Sequence, residues 1–494
     1  MPTSPLHASA ALLSGVLLVG TAVAPAAAAN SPEGLPERVD TFVADHVDRQ
    51  NLAGVSVAVV RDGEVLHTMG HGHDSDGNTV TADTPMAVAS VSKSFTAMAV
   101  MRLVEDGQID LETPVVHYLD DFTPVDPRAE EITVRQLLDQ TSGMASQGLV
   151  SPDRGRFENT EEAVDVLAGM ELTDDPGARH QYFNGNYWMA AHLVEEVTGE
   201  PFGSHLERAV FEPLGMHHST SVTRSQDLND VDGLADGHIN VYGIPVPREE
   251  PANLIAGAGN VVTTAEDMAH WLAPHTDEGR TIEGEPYAEA ATIEELLSPS
   301  APEGRYSLGW REVAGENRMA HSGTHTGHLA YQTVTEDGLG VAVMSNGLTA
   351  SYDTVQPLAV GLLDLAEGES AEQPLPVPRL IDYGFLVLTL LSVALGIRRL
   401  MRAQAWAERL SDRPVRWLVL RLVPRLLPLA LVLGYAVAGI ATIIGVGADP
   451  GFVLTLGVGT YWPPSFTVWV CVAALLNLAT IVVRARYWWR ARSG

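Results

Sequence analysis

The stretch MAVASVSKSF, residues 86–95, contains the only lysine among 494 residues. Lys93 follows Ser90 by three positions, at the head of the apolar run SFTAMAVMRLVEDG. The run has helical spacing and stops at Gly107, a typical helix end. Residues three apart on a helix are neighbours, so the hydroxyl and the amine are expected on the same side.

This pairing suits nucleophilic catalysis. A serine hydroxyl is a poor nucleophile until a nearby base removes its proton. Lysine can act as that base if burial or neighbouring charge lowers its pKa from about 10.4 towards about 7–8. A helix N-terminus also favours a developing anion. The same spacing fits a helix N-cap at Ser90 followed by a solvated Lys93, so the pair alone does not decide between the two interpretations.

Two later motifs favour catalysis. Tyr182 and Asn184 belong to YFN, and His321 begins HSG. Together with SVSK at residues 90–93, they resemble the motifs of serine β-lactamases and penicillin-binding proteins, in the class C β-lactamase, D,D-peptidase and esterase branch. The resemblance covers about residues 35–350. Similar flanking stretches are LLDQTSGM (137–144), EPLGM (212–216), TTAEDMAHWL (263–272) and SLGW (307–310).

The resemblance implies a role for each residue of the first two motifs. Ser90 would be the acylated nucleophile, and Lys93 would help to take its proton. Tyr182 would share the work of general base and protonate the leaving group. Asn184 would hydrogen-bond the substrate and the lysine. No cofactor and no metal are implied.

The third motif would line the site. His321 and Gly323 would mark a strand beside the nucleophile, and the backbone N–H groups of Ser90 and Thr324 would form the oxyanion hole. A second register, from His325 to Gly327, is also available; the first is preferred because Gly327 then falls where the family has a later glycine. Histidine is mostly neutral at pH 7, so it binds a substrate carboxylate less firmly than lysine would.

The resemblance implies an α/β fold of the β-lactamase/transpeptidase type, in which helices and a helical subdomain flank an antiparallel sheet. The residues agree with an α/β domain over 30–366. Apolar runs on either side of Asp62-Gly63 predict a hairpin. Residues 187–199 and 265–272 predict amphipathic helices, and YQTVTED and GVAVMSN predict late strands. A proline-containing linker is expected at 367–380.

The two ends of the chain predict export and membrane attachment. Residues 1–29 have the apolar core and Ala-x-Ala sites of a signal peptide, although their n-region lacks Lys and Arg. Residues 381–494 contain three apolar stretches of roughly membrane-spanning length: Ile381–Ile397, Leu426–Val446 and Phe466–Val483. The loop 398–425 carries eight arginines and the tail after Val483 four. These are expected in the cytoplasm, which places residues 30–378 outside.

Charge and composition limit the partners. Residues 30–378 contain 58 acidic and 17 basic side chains, so nucleic acid and anionic lipid would be repelled by this part of the chain. The resemblance implies a small-molecule or peptide substrate, such as cell-wall peptides, esters or β-lactams. The single cysteine, Cys471, excludes an internal disulfide framework.

Other classes of function fit less well. The Gly-x-Ser-x-Gly elbow of α/β-hydrolases is absent from the sequence. Metal sites at His321, His325 and His328, or at His71 and His73, lack a helical frame. HDSDGN lacks the acidic twelfth residue of a calcium loop. The rival that stays open is a catalytically weak or inactive sensor of cell-wall peptides, which would signal through the membrane helices.

Overall fold

The computed structural model describes residues 34–145, 157–250, 253–302, 306–349, 354–434 and 464–493. The predicted signal peptide at 1–29 lies outside these ranges, as does most of the predicted loop between the second and third apolar stretches. The described residues form a domain with a seven-stranded sheet, followed by a group of apolar helices.

An antiparallel sheet is the centre of the domain. Its order is β2-β1-β12-β11-β10-β9-β8, and all neighbours run antiparallel. The strands are β1 (Gly54–Arg61), β2 (Glu64–Gly72), β8 (Tyr306–Ser307), β9 (Trp310–Glu312), β10 (Arg318–Thr324), β11 (Leu329–Thr335) and β12 (Leu339–Ser345). The predicted hairpin is confirmed: Asp62 and Gly63 have φ of 49° and 76°, the left-handed conformation of a two-residue hairpin turn.

Six short strands form two smaller sheets of three strands each. Strands β3 (Met86–Ala87), β4 (Thr220–Ser221) and β7 (Val261–Thr263) make the sheet beside the SVSK segment, and β5 (Gly237–Val241), β6 (Ile244–Arg248) and β13 (Gly347–Leu348) make the other.

Helices cover both faces of the large sheet because its strands alternate between two apolar cores. Val55, Val57 and Val59 of β1 pack with α1 (Leu35–Gln50) and α10 (Val355–Ala366). Ala58 and Val60 face the opposite core, which contains α2 (Ser92–Glu105) and α8 (Ala265–Thr276). Helix α2 is buried on nearly all sides, so the only lysine lies in the interior of the domain.

The remaining helices build the predicted helical subdomain and the side of the sheet. They are α3 (Val134–Leu138), α4 (Thr160–Ala168), α5 (Asn184–Thr198), α6 (Phe202–Leu206), α7 (Glu212–Leu214) and α9 (Ala290–Leu297). Gly199 ends α5 in the left-handed conformation, as its place in the sequence predicts. The α/β prediction, with an antiparallel sheet and a helical subdomain, is confirmed.

Three helices after the domain are long and apolar enough to cross a membrane. They cover Val377–Met401 (α11), Val415–Gly434 and Pro464–Ser493. The first and third predicted stretches lie within these helices. The second helix begins at Val415, eleven residues before the predicted start at Leu426. The part of the second prediction beyond residue 434 lies outside the described residues. The observed linker, 367–376, is shorter than the predicted 367–380. Pro378 in the first turn of α11 favours a helix start at Val377. Helix α12 covers Ala403–Glu408. The second span begins with α13 (Val415–Leu422), which is followed by a 3-10 turn at Val423–Leu426, and the third span is α14 (Pro464–Ser493).

The turn between β5 and β6 joins the domain to these helices. Tyr242 donates its backbone N–H to Ser465 Oγ at 2.8 Å, and its hydroxyl lies 2.7 Å from Thr389 Oγ1. Gly243 donates its N–H to Asp382 Oδ2 at 3.1 Å. This docking turn (residues 242–243) therefore contacts both α11 and α14 through polar groups.

Candidate active site

The nucleophile candidate lies in a tight turn before α2. Residues Ala89–Val91 form a 3-10 turn, and α2 continues from Ser92. Ala89 has a φ of 48°, a conformation that residues other than glycine adopt infrequently. Strained backbone of this kind is concentrated at functional sites. The turn places Ser90 at the surface end of a buried helix, while Lys93 lies one turn inside.

The amine of Lys93 is enclosed. Its side chain is fully buried, and Nζ lies 3.1 Å from Ser90 Oγ. Nζ also donates to the carbonyl of Ala258 at 2.7 Å. Burial lowers the pKa of Lys93 well below its usual value, because the charged form loses its hydration. The solvated lysine of the alternative interpretation is therefore wrong.

A loop that the sequence analysis did not single out holds the amine in place. Besides the Lys93 contact, Thr96 Oγ1 donates to Gly257 O at 2.7 Å and Ser92 Oγ accepts from Val261 N at 3.0 Å. Three side chains of α2 thus fix residues 257–261. The glycine-rich stretch AGAGN, shortly before TTAEDM, is the sequence feature that could have indicated this loop. Gly257 has a φ of 69°, and a Cβ there would lie 2.2 Å from Tyr187 O, so the loop requires glycine at this position.

Tyr182 lies above the amine. Lys93 Nζ is 4.9 Å from the centre of its ring, and the residue is exposed overall although its hydroxyl end lies among protein atoms. Desolvation raises the pKa of Tyr182 to about 12, although a hydrogen bond with Ser90 and the charge of Arg311 oppose the rise. The phenol is therefore neutral near pH 7 and can donate a proton towards the Ser90 oxygen.

Gln140 positions the segment that carries Tyr182. Its Oε1 accepts from Phe183 N at 2.9 Å and from Asn186 Nδ2 at 2.6 Å, and its backbone carbonyl accepts from Gln181 N at 2.8 Å. Gln140 belongs to the flanking stretch LLDQTSGM, whose resemblance gave no hint of this role.

Asn184 differs from its prediction. It begins α5 with an exposed side chain. Among the described residues, the amine of Lys93 is held by Ser90 and the Ala258 carbonyl, and the predicted hydrogen bond from Asn184 to the lysine is absent. A contact of Asn184 with substrate stays a prediction.

The third motif lies on β10 in its first register. His321, Ser322 and Gly323 belong to the strand, whereas His325 follows its end. A Cβ on Gly323 would lie 2.0 Å from Val88 O and 3.1 Å from Ser90 N, so only glycine permits this approach to the turn that carries Ser90. Thr324 ends the strand and is exposed. The oxyanion hole formed with Ser90 N–H stays a prediction.

His321 is a neutral imidazole in this position. Tyr306 donates its hydroxyl to Nε2 at 3.1 Å, and Nδ1 lies 2.8 Å from Ser322 O. Burial, reinforced by the nearby Lys93, lowers the pKa of His321 to about 3. Arg311, which is exposed, contributes a cation near this edge of the site and lies 6.0 Å from the ring of Tyr306. The motifs gave no signal for Arg311, because it lies in the strand before the third motif.

The fold agrees with comparisons to known proteins. The β-lactamase family model matches residues 39–364, more than half of the chain. The chain belongs to the β-lactamase family. This family consists of serine hydrolases that share the antiparallel sheet and flanking helices seen here. The helices from Val377 onward lie outside the match.

Relatives in this family are similar at a moderate level. Protein flp of Staphylococcus aureus strain MRSA252 is 25% identical over 338 residues, which is 64% of this chain and 64% of that protein. Penicillin-binding protein 4 of Amycolatopsis lactamdurans is 28% identical over 334 residues, which is 64% of this chain and 85% of that protein. The structure of the octameric penicillin-binding protein homologue from Pyrococcus abyssi has a TM-score of 0.58 and 26% identity, and it covers 69% of this chain and 79% of its own.

Proposed function

We propose that the chain is a membrane-anchored, extracytoplasmic serine hydrolase that acts on peptide, amide or ester substrates through an acyl-serine intermediate. One observation carries the proposal: a fully buried lysine amine lies 3.1 Å from Ser90 Oγ. An amine with a lowered pKa in contact with a hydroxyl is the arrangement that activates a serine nucleophile. The predicted substrates are cell-wall peptides and small esters, with weak β-lactamase activity.

Lys93 and Tyr182, whose pKa values are shifted in opposite directions, take part in different proton transfers. Burial lowers the pKa of Lys93 and raises that of Tyr182, so the amine loses its proton more readily than an ordinary lysine, whereas the phenol keeps its proton near pH 7. The reaction starts from the form in which the amine is neutral. Ser90 Oγ attacks the substrate carbonyl carbon while its proton passes to Lys93 Nζ. The tetrahedral intermediate then expels the leaving group, which takes a proton from Tyr182 as Lys93 restores the phenol. Water hydrolyses the acyl-enzyme by the same transfers in reverse.

Substrate preference follows from the charges near β10. Neutral His321 offers no cation to a substrate carboxylate, so Arg311 is the group that would receive one. An exposed guanidinium is screened by water, which supports modest affinity for carboxylate-bearing substrates. We expect slow hydrolysis of p-nitrophenyl acetate and poor turnover of cephalosporins. Cephalosporin hydrolysis near the diffusional ceiling of about 10⁸ M⁻¹s⁻¹ would contradict this preference but not the acyl-serine mechanism.

Covalent labelling tests the proposal. The full-length protein is incubated with a fluorescent penicillin or a fluorophosphonate and analysed by gel and by mass spectrometry of the labelled peptide. We expect label on Ser90 and none in Ser90→Ala. The matched control is Ser298→Ala, since Ser298 is an exposed serine after the end of α9 and lies outside the motif. Label that persists in Ser90→Ala, or that is absent from the folded wild type, would overturn the proposal.

A further inference from the structure

Three arginines from different elements meet at the basic end of the membrane helices. Arg399 belongs to α11, Arg425 lies in a 3-10 turn after α13, and Arg484 belongs to α14. Helix α14 packs against α11, with Gly396 next to Leu476, and against the turn Val423–Leu426, so the three arginines lie at the same level of the helices. We call these residues the arginine cluster. Nothing in the hydrolase chemistry uses them.

Arg484 is buried, and Arg399 and Arg425 are half-buried. Arg484 is only 6% exposed, and its guanidinium lies 4.5 Å from the ring centre of Trp406. The Nε atoms of Arg484 and Arg425 are buried and have no hydrogen-bond partner among the described residues. Arginines that merely extend to the membrane surface expose their heads, as Arg486 does two residues further along.

The described acidic residues near the helices do not neutralise the cluster. Asp382 lies at the opposite end of α11, where it accepts from Ser465. Glu408 accepts from Gln404, and Asp412 is exposed. Like charges brought together in a low-dielectric environment are unfavourable unless an opposite charge joins them. The chemistry of the cluster therefore calls for an anion that can accept several N–H groups at once.

The level of the arginine cluster in the bilayer indicates which anion binds to it. Trp406 packs in a small group with Trp488 and Tyr487, and Trp488 donates its Nε1–H to Leu410 O at 2.8 Å. Tryptophan and tyrosine concentrate at the headgroup level of a bilayer. Phosphate groups of lipids lie at this level, and guanidinium groups bind phosphate oxygens in a bidentate manner.

We propose that the arginine cluster binds the phosphate of an anionic glycerophospholipid between α11, α14 and the turn at Val423–Leu426. Basic pockets between membrane helices bind headgroups in this way. The inference rests on the part of the proposed function that puts these helices in a bilayer. It is independent of the acyl-serine chemistry, so loss of Ser90 labelling would leave it intact.

Native mass spectrometry of the full-length protein in detergent tests the site. Dioleoylphosphatidylglycerol is titrated in parallel with dioleoylphosphatidylcholine and with inorganic phosphate. We expect the first phosphatidylglycerol to bind with about tenfold or higher preference over phosphatidylcholine, which corresponds to one charge-assisted hydrogen bond. Equal binding of the two lipids would overturn the proposal. Binding of inorganic phosphate as tight as that of phosphatidylglycerol would overturn the lipid as the source of the phosphate.

Matched variants locate the binding. Arg484→Gln removes the buried charge and should abolish the preference, whereas Arg486→Gln removes an exposed charge from the same helix and should retain it. Arg399→Gln, on a different helix, should also abolish the preference, and it replaces Arg484→Gln if that variant does not fold. Penicillin labelling of Ser90 reports an intact catalytic domain in each variant. An equal loss in Arg486→Gln and in Arg484→Gln or Arg399→Gln would overturn the assignment.

Discussion

The proposed chemistry depends on the environment of one amine. Lys93 keeps its contacts with Ser90 and Ala258 while no part of its side chain reaches water. Arginine cannot be deprotonated in proteins, so Lys93→Arg should lower the acylation rate by about 10²–10⁴-fold, the usual contribution of a positioned base. Stopped-flow acylation with a fluorescent penicillin measures this rate. Near-normal acylation in Lys93→Arg would contradict the lysine-as-base mechanism.

The pH dependence of acylation follows from the same shift. Burial lowers the folded-state pKa of Lys93 below 10.5, so the amine becomes a base above that lowered value. The acylation rate should rise with pH through the lowered pKa, well before an ordinary lysine titrates. His321, with its pKa lowered to about 3, should add no step near pH 6.5. A pH–rate profile measured between pH 5 and pH 11 checks both statements; a rise near pH 10.5 would contradict the first.

Stability should also depend on His321 at acid pH. Its folded pKa of about 3 lies below the unfolded value of 6.5, so between these values the unfolded chain binds a proton that the folded chain does not. Stability is therefore lost as the pH falls through this window, by about 1.4 kcal/mol per pH unit for one such group. His321→Gln should show a smaller decrease in melting temperature between pH 6 and pH 4 than the wild type. An identical decrease would show that His321 titrates normally.

At the scale of elements, the site depends on how closely β10 approaches the turn Ala89–Val91, which carries Ser90. Gly323→Ala would add a methyl group 2.0 Å from Val88 O, and backbone atoms cannot move aside cheaply. The strand must shift, and a 1 Å displacement of a catalytic group can cost about 10²-fold in rate. We expect acylation to fall by about that factor while the domain stays folded by circular dichroism. Ser322→Ala, an exposed neighbour on the same strand, is the control.

How much could be predicted from the sequence depended on the range of the interaction involved. Local patterns located the hairpin at Asp62-Gly63, helix α5 and the motif residues, because turn chemistry and helical periodicity act over a few positions. The support by Gln140 and by the Ala258 carbonyl could not be predicted, since each contact joins segments distant in the chain. The assignment of the lysine contact to Asn184 failed for the same reason.

At the scale of the whole molecule, the arginine distribution predicts the orientation. Eight arginines lie in the loop 398–425, after the first helix, and four lie after Val483, at the end of the third helix. The linker and the domain precede the first helix. Protease added to intact cells should therefore digest residues 30–378 and spare the tail after Val483. Immunoblots with tags at each end check the result. Protection of the domain in intact cells, with digestion only after lysis, would overturn the orientation.

The docking turn predicts that the domain is held against its own membrane helices. Asp382 is 2% exposed and accepts from Gly243 N and from Ser465 Oγ at 2.6 Å. Asp382→Ala would leave both donors without this acceptor, a loss of about 1–3 kcal/mol for a buried group. The contact should loosen, so limited proteolysis of the purified full-length protein should cleave the connection at 367–376 faster than in wild type.

Asp412→Ala removes an exposed carboxylate at the opposite end of the membrane helices and should leave the cleavage rate unchanged. Labelling of Ser90 should persist in Asp382→Ala, because the docking turn contacts none of the groups around Lys93 among the described residues. Equal cleavage in wild type and Asp382→Ala would mean that the domain is tethered to the helices only by the chain at 367–376. Faster cleavage with full labelling would show that docking to the membrane helices and the chemistry at Ser90 are separable.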